Sequence, residues 1–290
     1  MPDTDVRTDI AHQMWTLFEP YHSVSYFMPE TRAAYERIGL HGYWQGYFAG
    51  RAAPMGQVGA GVVWATFFGF ARRMVDRAVP DVWSRVTPAE ALAARLSGAD
   101  EGLRRVLGPA LDGPEIAVAA ELAGRAARAA AEPGRPLAAA NAELPPPAEP
   151  YLALWQATGV LREHRGDGHV AVLTGAGLDG CAAQVLQAAV RGVPREMVQQ
   201  ARGWTDDEWA DATHRLAVRG WVDAAGGPTP AGRDYREALE RTTNRLAAGP
   251  WLALGEDGTA RLARLLHPLR TAILASGALP PITPVGLPGR

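Results

Sequence analysis

Residues 209–240 read WADATHRLAVRGWVDAAGGPTPAGRDYREALE. The first part sets Trp209, Ala212, Thr213 and Leu216 on one helical face. Just before it, Thr205-Asp206-Asp207-Glu208 is a capping box, in which threonine and glutamate each satisfy the other's backbone N–H. Gly220 stops that helix, Trp221-Val222-Asp223 is a short extended run, and Gly226-Gly227 supplies a turn. Thr229-Pro230 then opens a long helix to about residue 248. Upstream, residues 151–163 are amphipathic. Residues 178–190 form a helix with Asp179 near its N-cap and Gly192 past its end, and Pro194 opens a short third helix. The order helix, helix, helix, hairpin, helix predicts a helix-turn-helix module with a short β-hairpin wing, in a mainly α protein.

The N-terminal half reads as helices separated by proline and glycine. Ile10, Met14, Leu17 and Phe18 share a face that Pro20 is expected to end. Pro29 opens the next helix and Gly39 closes it. Thr87-Pro88-Ala89-Glu90 is a second capping box, and an Ala-rich helix follows over 114–131. Residues 52–71 carry no charge. Their length could span a bilayer, but Pro54, Gly56, Gly59 and Gly61 and the lack of leucine and isoleucine favour a buried core helix. The proline-rich stretch 133–150 suggests a boundary between residues 1–145, a helical aromatic-rich domain, and 146–290, the winged helix-turn-helix domain with C-terminal helices.

Composition narrows the function classes. The chain has 290 residues, 47% hydrophobic and 21% charged, with net charge −2, so bulk positive charge does not drive nucleic-acid binding. Every basic residue is arginine, which favours bidentate contacts with carboxylate and phosphate. The single Cys181 excludes a disulfide framework or a cysteine zinc site. No signal-peptide pattern opens the sequence, and a cytoplasmic, non-membrane protein is expected.

The 209–240 stretch resembles winged-helix regulators of the MarR type: a helix ending in Arg-Gly, a wing, and a Thr-Pro-x-Gly-Arg helix start. Over most of its length the chain resembles an actinobacterial helix-turn-helix family, through EPYHSVSYF (19–27), GYWQGYFAGRAAPMG (42–56) and LREHRGDGH (161–169). The resemblance implies transcription regulation, duplex DNA as a partner, a homodimer, and a recognition helix just before the wing. That helix begins with Asp206, Asp207, Glu208 and Asp211, which repel phosphate. The candidate DNA-contacting residues are therefore Arg191, Arg195, Arg202, Arg215 and Arg219.

Two constellations are candidates for a small-molecule site. His164, Asp167 and His169 lie with Arg162 and Arg165 on what reads as a helix end and a glycine-flanked loop. Two imidazoles and a carboxylate there could also hold a metal, although the spacing matches no specific metal motif. The second constellation is aromatic and concentrated between residues 21 and 68, with Tyr26, Tyr47 and Trp64 among its members and Arg51 one turn after Tyr47. Such a set suits an apolar pocket with polar anchors, and His22 stands beside it. The leading expectation is a ligand-responsive regulator. The alternative is an enzyme or ligand-sequestering protein with His22, Arg51, His164, Arg165, Asp167 and His169 at the junction of the halves. No cofactor is indicated.

Overall fold

Proline and threonine set most helix starts. Pro29, Pro88, Pro114, Pro136, Pro150 and Pro230 each stand in a first turn, where a missing N–H costs nothing. The capping boxes of Thr87 with Glu90 and of Thr205 with Glu208 both form. The computed structural model describes residues 4–130 and 133–280. In chain order the helices are α1 (Thr4–Ser23), α2 (Pro29–Arg37), α3 (Gly42–Ala52), α4 (Ala60–Phe67), α5 (Arg72–Asp76), α6 (Asp81–Arg85), α7 (Pro88–Leu107) and α8 (Pro114–Arg128). They continue with α9 (Pro136–Ala142), α10 (Pro150–Gly175), α11 (Gly180–Arg191), α12 (Arg195–Arg202), α13 (Asp206–Val218), α14 (Pro230–Leu246), α15 (Gly249–Leu254) and α16 (Glu256–Ala275).

Three apolar clusters hold these helices. The largest joins α1, α7, α8 and the first half of α10 to α15 and α16, with Phe18, Leu103, Trp155 and Leu266 at its centre. A second gathers α2 to α6 and the start of α7 around Phe48, Val63 and Phe70. The third packs the end of α10 with α11 to α14 around Leu186, Ala212, Leu216 and Val222. No single helix among the described residues is long and apolar enough to cross a membrane.

The structure corrects four expectations. The β-hairpin wing does not form. Val222 and Pro228 make one isolated antiparallel bridge, and there is no strand among the described residues. Asp223 absorbs the residues between them: its Oδ1 accepts from the N–H groups of Ala225 at 2.9 Å and Gly227 at 2.8 Å. Pro228 has no N–H with which to extend a ladder. The protein is mainly α, and the wing is a tight turn.

Residues 52–71 are not one core helix. The chain breaks at Gly56, whose φ of 80° suits glycine, and α4 leaves Val62 and Trp64 exposed. Pro20 does not end α1. The Thr16 carbonyl that Pro20 cannot bond instead accepts from Arg270 Nε at 3.0 Å. Lastly, residues 164–169 are not a loop, because α10 runs unbroken through them. Gly159 and Gly168 serve close approach: an added Cβ would lie 2.6 Å from His22 Cε1 and 2.6 Å from Arg135 Nη1, respectively.

Gly232, in the first turn of α14, faces the carbonyl of Trp221, where a Cβ would stand 1.9 Å from the oxygen. Backbone cannot swing aside as a side chain can. Gly232→Ala is expected to lower the urea midpoint by the equivalent of about 1–3 kcal/mol. Gly61→Ala in α4, with no atom within 4 Å of the added Cβ, is expected to be neutral or stabilising.

Candidate functional site

Because α10 is continuous, its side chains sort by helical spacing into two faces. His164 and Asp167 turn toward α9. The Asp167 carboxylate accepts from the N–H groups of Leu137 at 3.0 Å and Ala138 at 2.9 Å, capping the start of α9. The His164 carbonyl accepts from Arg135. On the other face Arg162, Glu163, Arg165, Gly166, His169 and Leu173 border a cavity of about 190 Å³. Its remaining walls come from Trp15 and Glu19 of α1, Tyr47 and Arg51 of α3, the segment 67–70, and residues of α11, α12 and α14.

Charge dominates this cavity. Arg51, Arg162, Arg165, Arg191, Arg202 and Arg236 line it, against Glu19, Glu163 and Glu240. Glu163 is clamped by Arg51 through Nε at 3.1 Å and Nη2 at 2.8 Å, and by Arg162 Nη1 at 2.8 Å. Arg162 Nε also donates to Glu19 at 2.9 Å. Glu240 receives Arg165 and, at 2.8 Å, Arg236 Nη1. Aromatic faces back the guanidiniums: Arg51 lies 4.2 Å over Phe67, Arg165 4.3 Å over Trp15, and Arg202 4.5 Å over Phe70.

These pairs leave a remainder. Three carboxylates are shared among four arginines, and Arg202 has no carboxylate partner among the described residues. The buried Nε groups of Arg165 and Arg202 lack acceptors, and Glu19 Oε2 lacks a donor. Burial raises Glu19 above its ordinary value despite Arg162. Burial also pulls Glu163 upward, but Arg51 and Arg162 overcome it and hold the carboxyl at about 2. Tyr47 donates no charge itself. Its hydroxyl accepts from Arg51 Nη1 at 3.3 Å and interacts with Arg202. Burial would raise the phenol, yet Arg51, Arg202 and Arg162 bring it below its ordinary value. The arrangement is a cation-rich cavity whose guanidiniums could donate to an acidic group.

Of the residues singled out in the sequence, Tyr47, Arg51, Arg162, Arg165 and His169 line this cavity, together with Arg191 and Arg202 from the candidate DNA-contacting set. His22 stands apart from the lining. Its ring stacks on Trp155 at 5.0 Å, with Nδ1 3.1 Å from the Trp155 carbonyl and Nε2 3.2 Å from the Tyr26 hydroxyl. Tyr26 lies beneath Arg162, 5.2 Å from it, and borders a separate cleft. Trp64 faces a second cavity. His164, Asp167 and His169 do not converge, and no group of three His, Cys, Asp or Glu side chains among the described residues could hold a metal. Arg236 and Glu240 are not among the residues expected from sequence. Their signal is an i,i+4 Arg236–Glu240 pair on a helix face that continues into the buried Thr243 and Asn244.

Arg195 pairs with Asp206, Arg215 reaches Asp179 at 2.6 Å, and Arg219 lies 5.0 Å over Trp221. Each belongs to the unit α11 to α13, three short helices joined by tight turns around a core shared with the end of α10 and with α14. A helix-turn-helix family model matches residues 11–280, and the chain belongs to that family. No curated protein and no solved structure gives a match.

Burial lowers His22 to about 3 and His164 and His169 to about 4. Unfolded imidazoles titrate near 6.5, so the unfolded chain binds more protons between about pH 4 and 6.5. The histidine contribution to stability is thus complete above about pH 6.5 and is lost as pH falls through the folded values. Asp167, raised by burial to about 6, opposes it within the same window. Imidazole nitrogen shifts followed by NMR are expected to report all three rings neutral at pH 5.5. A midpoint near 6.5 for His22 or His164 would contradict their burial.

Proposed function

We propose that this protein is a ligand-responsive, transcription-regulator-like member of its helix-turn-helix family, and that its effector is a small acidic molecule held in the arginine-lined cavity. The observation that carries this reading is the unsatisfied cationic remainder: Arg165 and Arg202 keep Nε–H groups without acceptors in a buried, aromatic-backed setting. Buried donors ordinarily have partners, and each exception asks for one. A carboxylate or phosphate supplies it.

Coupling to the helix-turn-helix follows from the cavity's walls. Ala183, Gln184, Leu186, Gln187 and Arg191 of α11 and Arg202 of α12 form one side, opposite Tyr47, Arg51 and Phe67 from the aromatic N-terminal region. A ligand bridging these walls favours one placement of the unit over another, by its differential affinity for the two. Duplex DNA, a cytoplasmic setting and a second copy of the chain belong to the same proposal. The exposed part of α13 presents Asp206, Asp207 and Asp211 alongside Arg215 and Arg219, so phosphate attraction is weak and DNA affinity is expected to be low, measurable only at low salt.

Arg202 offers a clean test, since changing it orphans no carboxylate. Benzoate and inorganic phosphate, titrated calorimetrically, are expected to bind the full chain. Arg202→Gln should weaken them about ten- to hundredfold, the range for one charged hydrogen bond of roughly 1.5–3 kcal/mol. Equal affinity in the variant would remove the cavity from the proposal. Separately, mixed-sequence duplex at about 50 mM salt is expected to shift in a gel and to lose binding by about 200 mM. No shift at the lower salt, with and without benzoate, would remove the DNA arm and leave the ligand arm standing.

A further inference from the structure

A second cavity, of about 520 Å³ and mostly apolar, adjoins the first. Trp64, Ala65, Cys181 and Trp204 line it, and Phe68 and Val170 line both cavities. They therefore form the partition between an arginine-rich chamber and an apolar one.

The partition is strained. Phe68 has φ 41° and is the only non-glycine residue with positive φ among the described residues. The N–H of Gly69 donates to the Phe67 carbonyl at 2.5 Å, closing the positive-φ form of γ-turn, which is rare because it crowds the side chain. Two indoles hold it in place. Trp204 Nε1 donates to the Gly69 carbonyl at 3.1 Å, and Trp64 Nε1 donates to the Phe70 carbonyl at 3.0 Å. Both are apolar-chamber residues, so whatever occupies that chamber touches the groups that fix the partition. Strained backbone of this kind persists only where its surroundings impose it, and it gathers at ligand clamps and switches.

We infer that the two chambers form one bipartite site for an amphipathic acid, with the acid group among Arg51, Arg165 and Arg202 and the apolar body beside Trp64 and Trp204, past Phe68. The inference rests on the acidic-ligand reading above and specifies the ligand's other end. Charge fixes the orientation. The rim of the apolar chamber carries Asp179, Glu208 and Asp211 with Arg215. Asp179 already holds Arg215, and Glu208 holds Arg73. That acidic rim repels a carboxylate, whereas the arginine chamber attracts one. The apolar chamber in turn gains from every methylene removed from water.

The test uses the full chain and a series of acetate, hexanoate and decanoate, each below its micelle concentration, with decan-1-ol as the uncharged control. Calorimetry is expected to give affinity rising at least tenfold from acetate to decanoate, with decan-1-ol at least tenfold weaker than decanoate. Decanoate, but not acetate, is expected to change tryptophan fluorescence, and Trp64→Phe should reduce that change. Phe68→Gly is the decisive variant, because glycine accepts the positive φ without strain while opening the partition. It should tighten decanoate binding relative to acetate; no gain for decanoate over acetate would overturn the bipartite site. Equal affinity across the acids, with Arg202→Gln still weakening all of them, would overturn the bipartite site while the acidic-ligand reading stands. Decan-1-ol binding as tightly as decanoate would overturn it too. Failure of every acid to bind would remove both.

Discussion

Glu163 is the buried charge on which the arrangement of helices depends. It sits on α10 with its side chain 4% exposed, grasped by Arg51 from α3 and by Arg162 from its own helix. Arg162 passes the interaction on to Glu19 of α1. Two adjacent residues of α10 thereby fasten the N-terminal helix and the aromatic helix to the rod that leads into the helix-turn-helix. Such a network is weak evidence for net stability, since desolvation offsets much of its attraction. Losing one member leaves an unpaired charge and costs about 3–5 kcal/mol. Its effect is on register. α3 is tied to α10 where Arg51 meets Glu163, and Tyr47, one turn before Arg51, lines the same cavity.

Local signals in the sequence proved legible, and signals that depend on a distant partner did not. Thr205-Asp-Asp-Glu208 and Thr87-Pro-Ala-Glu90 form capping boxes because every atom of the motif lies within one turn. Gly192 closes α11 in the left-handed conformation for the same reason. Gly166 and Gly168, by contrast, read as a turn, since a glycine pair beside aspartate usually is one. Gly168 answers to Arg135, about thirty residues away and packed against it, and Gly166 lies beside Glu163 of its own helix. That single misreading converted a helix into a loop and made His164, Asp167 and His169 look like neighbours with a shared purpose. On a helix, 164 and 167 share one face and 169 belongs to another.

The arginines follow the same logic. Arg191 and Arg202 stand at the ends of short helices, where positive charge is expected whether it faces solvent or a cavity. No periodicity in eight residues of α12 separates the two cases. Only the seating of α12 on residues 69–71, through the Ala71 N–H donating to the Arg202 carbonyl at 2.8 Å, turns Arg202 inward. The cluster at 162–165 was legible as polar and dense, but its counter-charges Glu19 and Glu240 lie far off in the chain.

The acidity of α13 has a structural account that bears on how the two parts communicate. Asp206 holds Arg195. Glu208 caps its own helix, pairs with Arg73 through Nη1 at 2.9 Å, and offers its carbonyl to the Cys181 thiol at 3.5 Å. These carboxylates are thus occupied in seating the helix-turn-helix rather than in facing a ligand. Their partner on the other side is again the stretch 67–73: Gly69 receives Trp204, Ala71 meets Arg202, and Arg73 meets Glu208. The same stretch supplies Phe67, Phe68 and Phe70 to the cavity wall. Residues 67–73 are thus joined to α12 by a backbone hydrogen bond and to α13 by an ion pair. Under the proposed function, a cavity occupant that displaced this segment would move both helices with it.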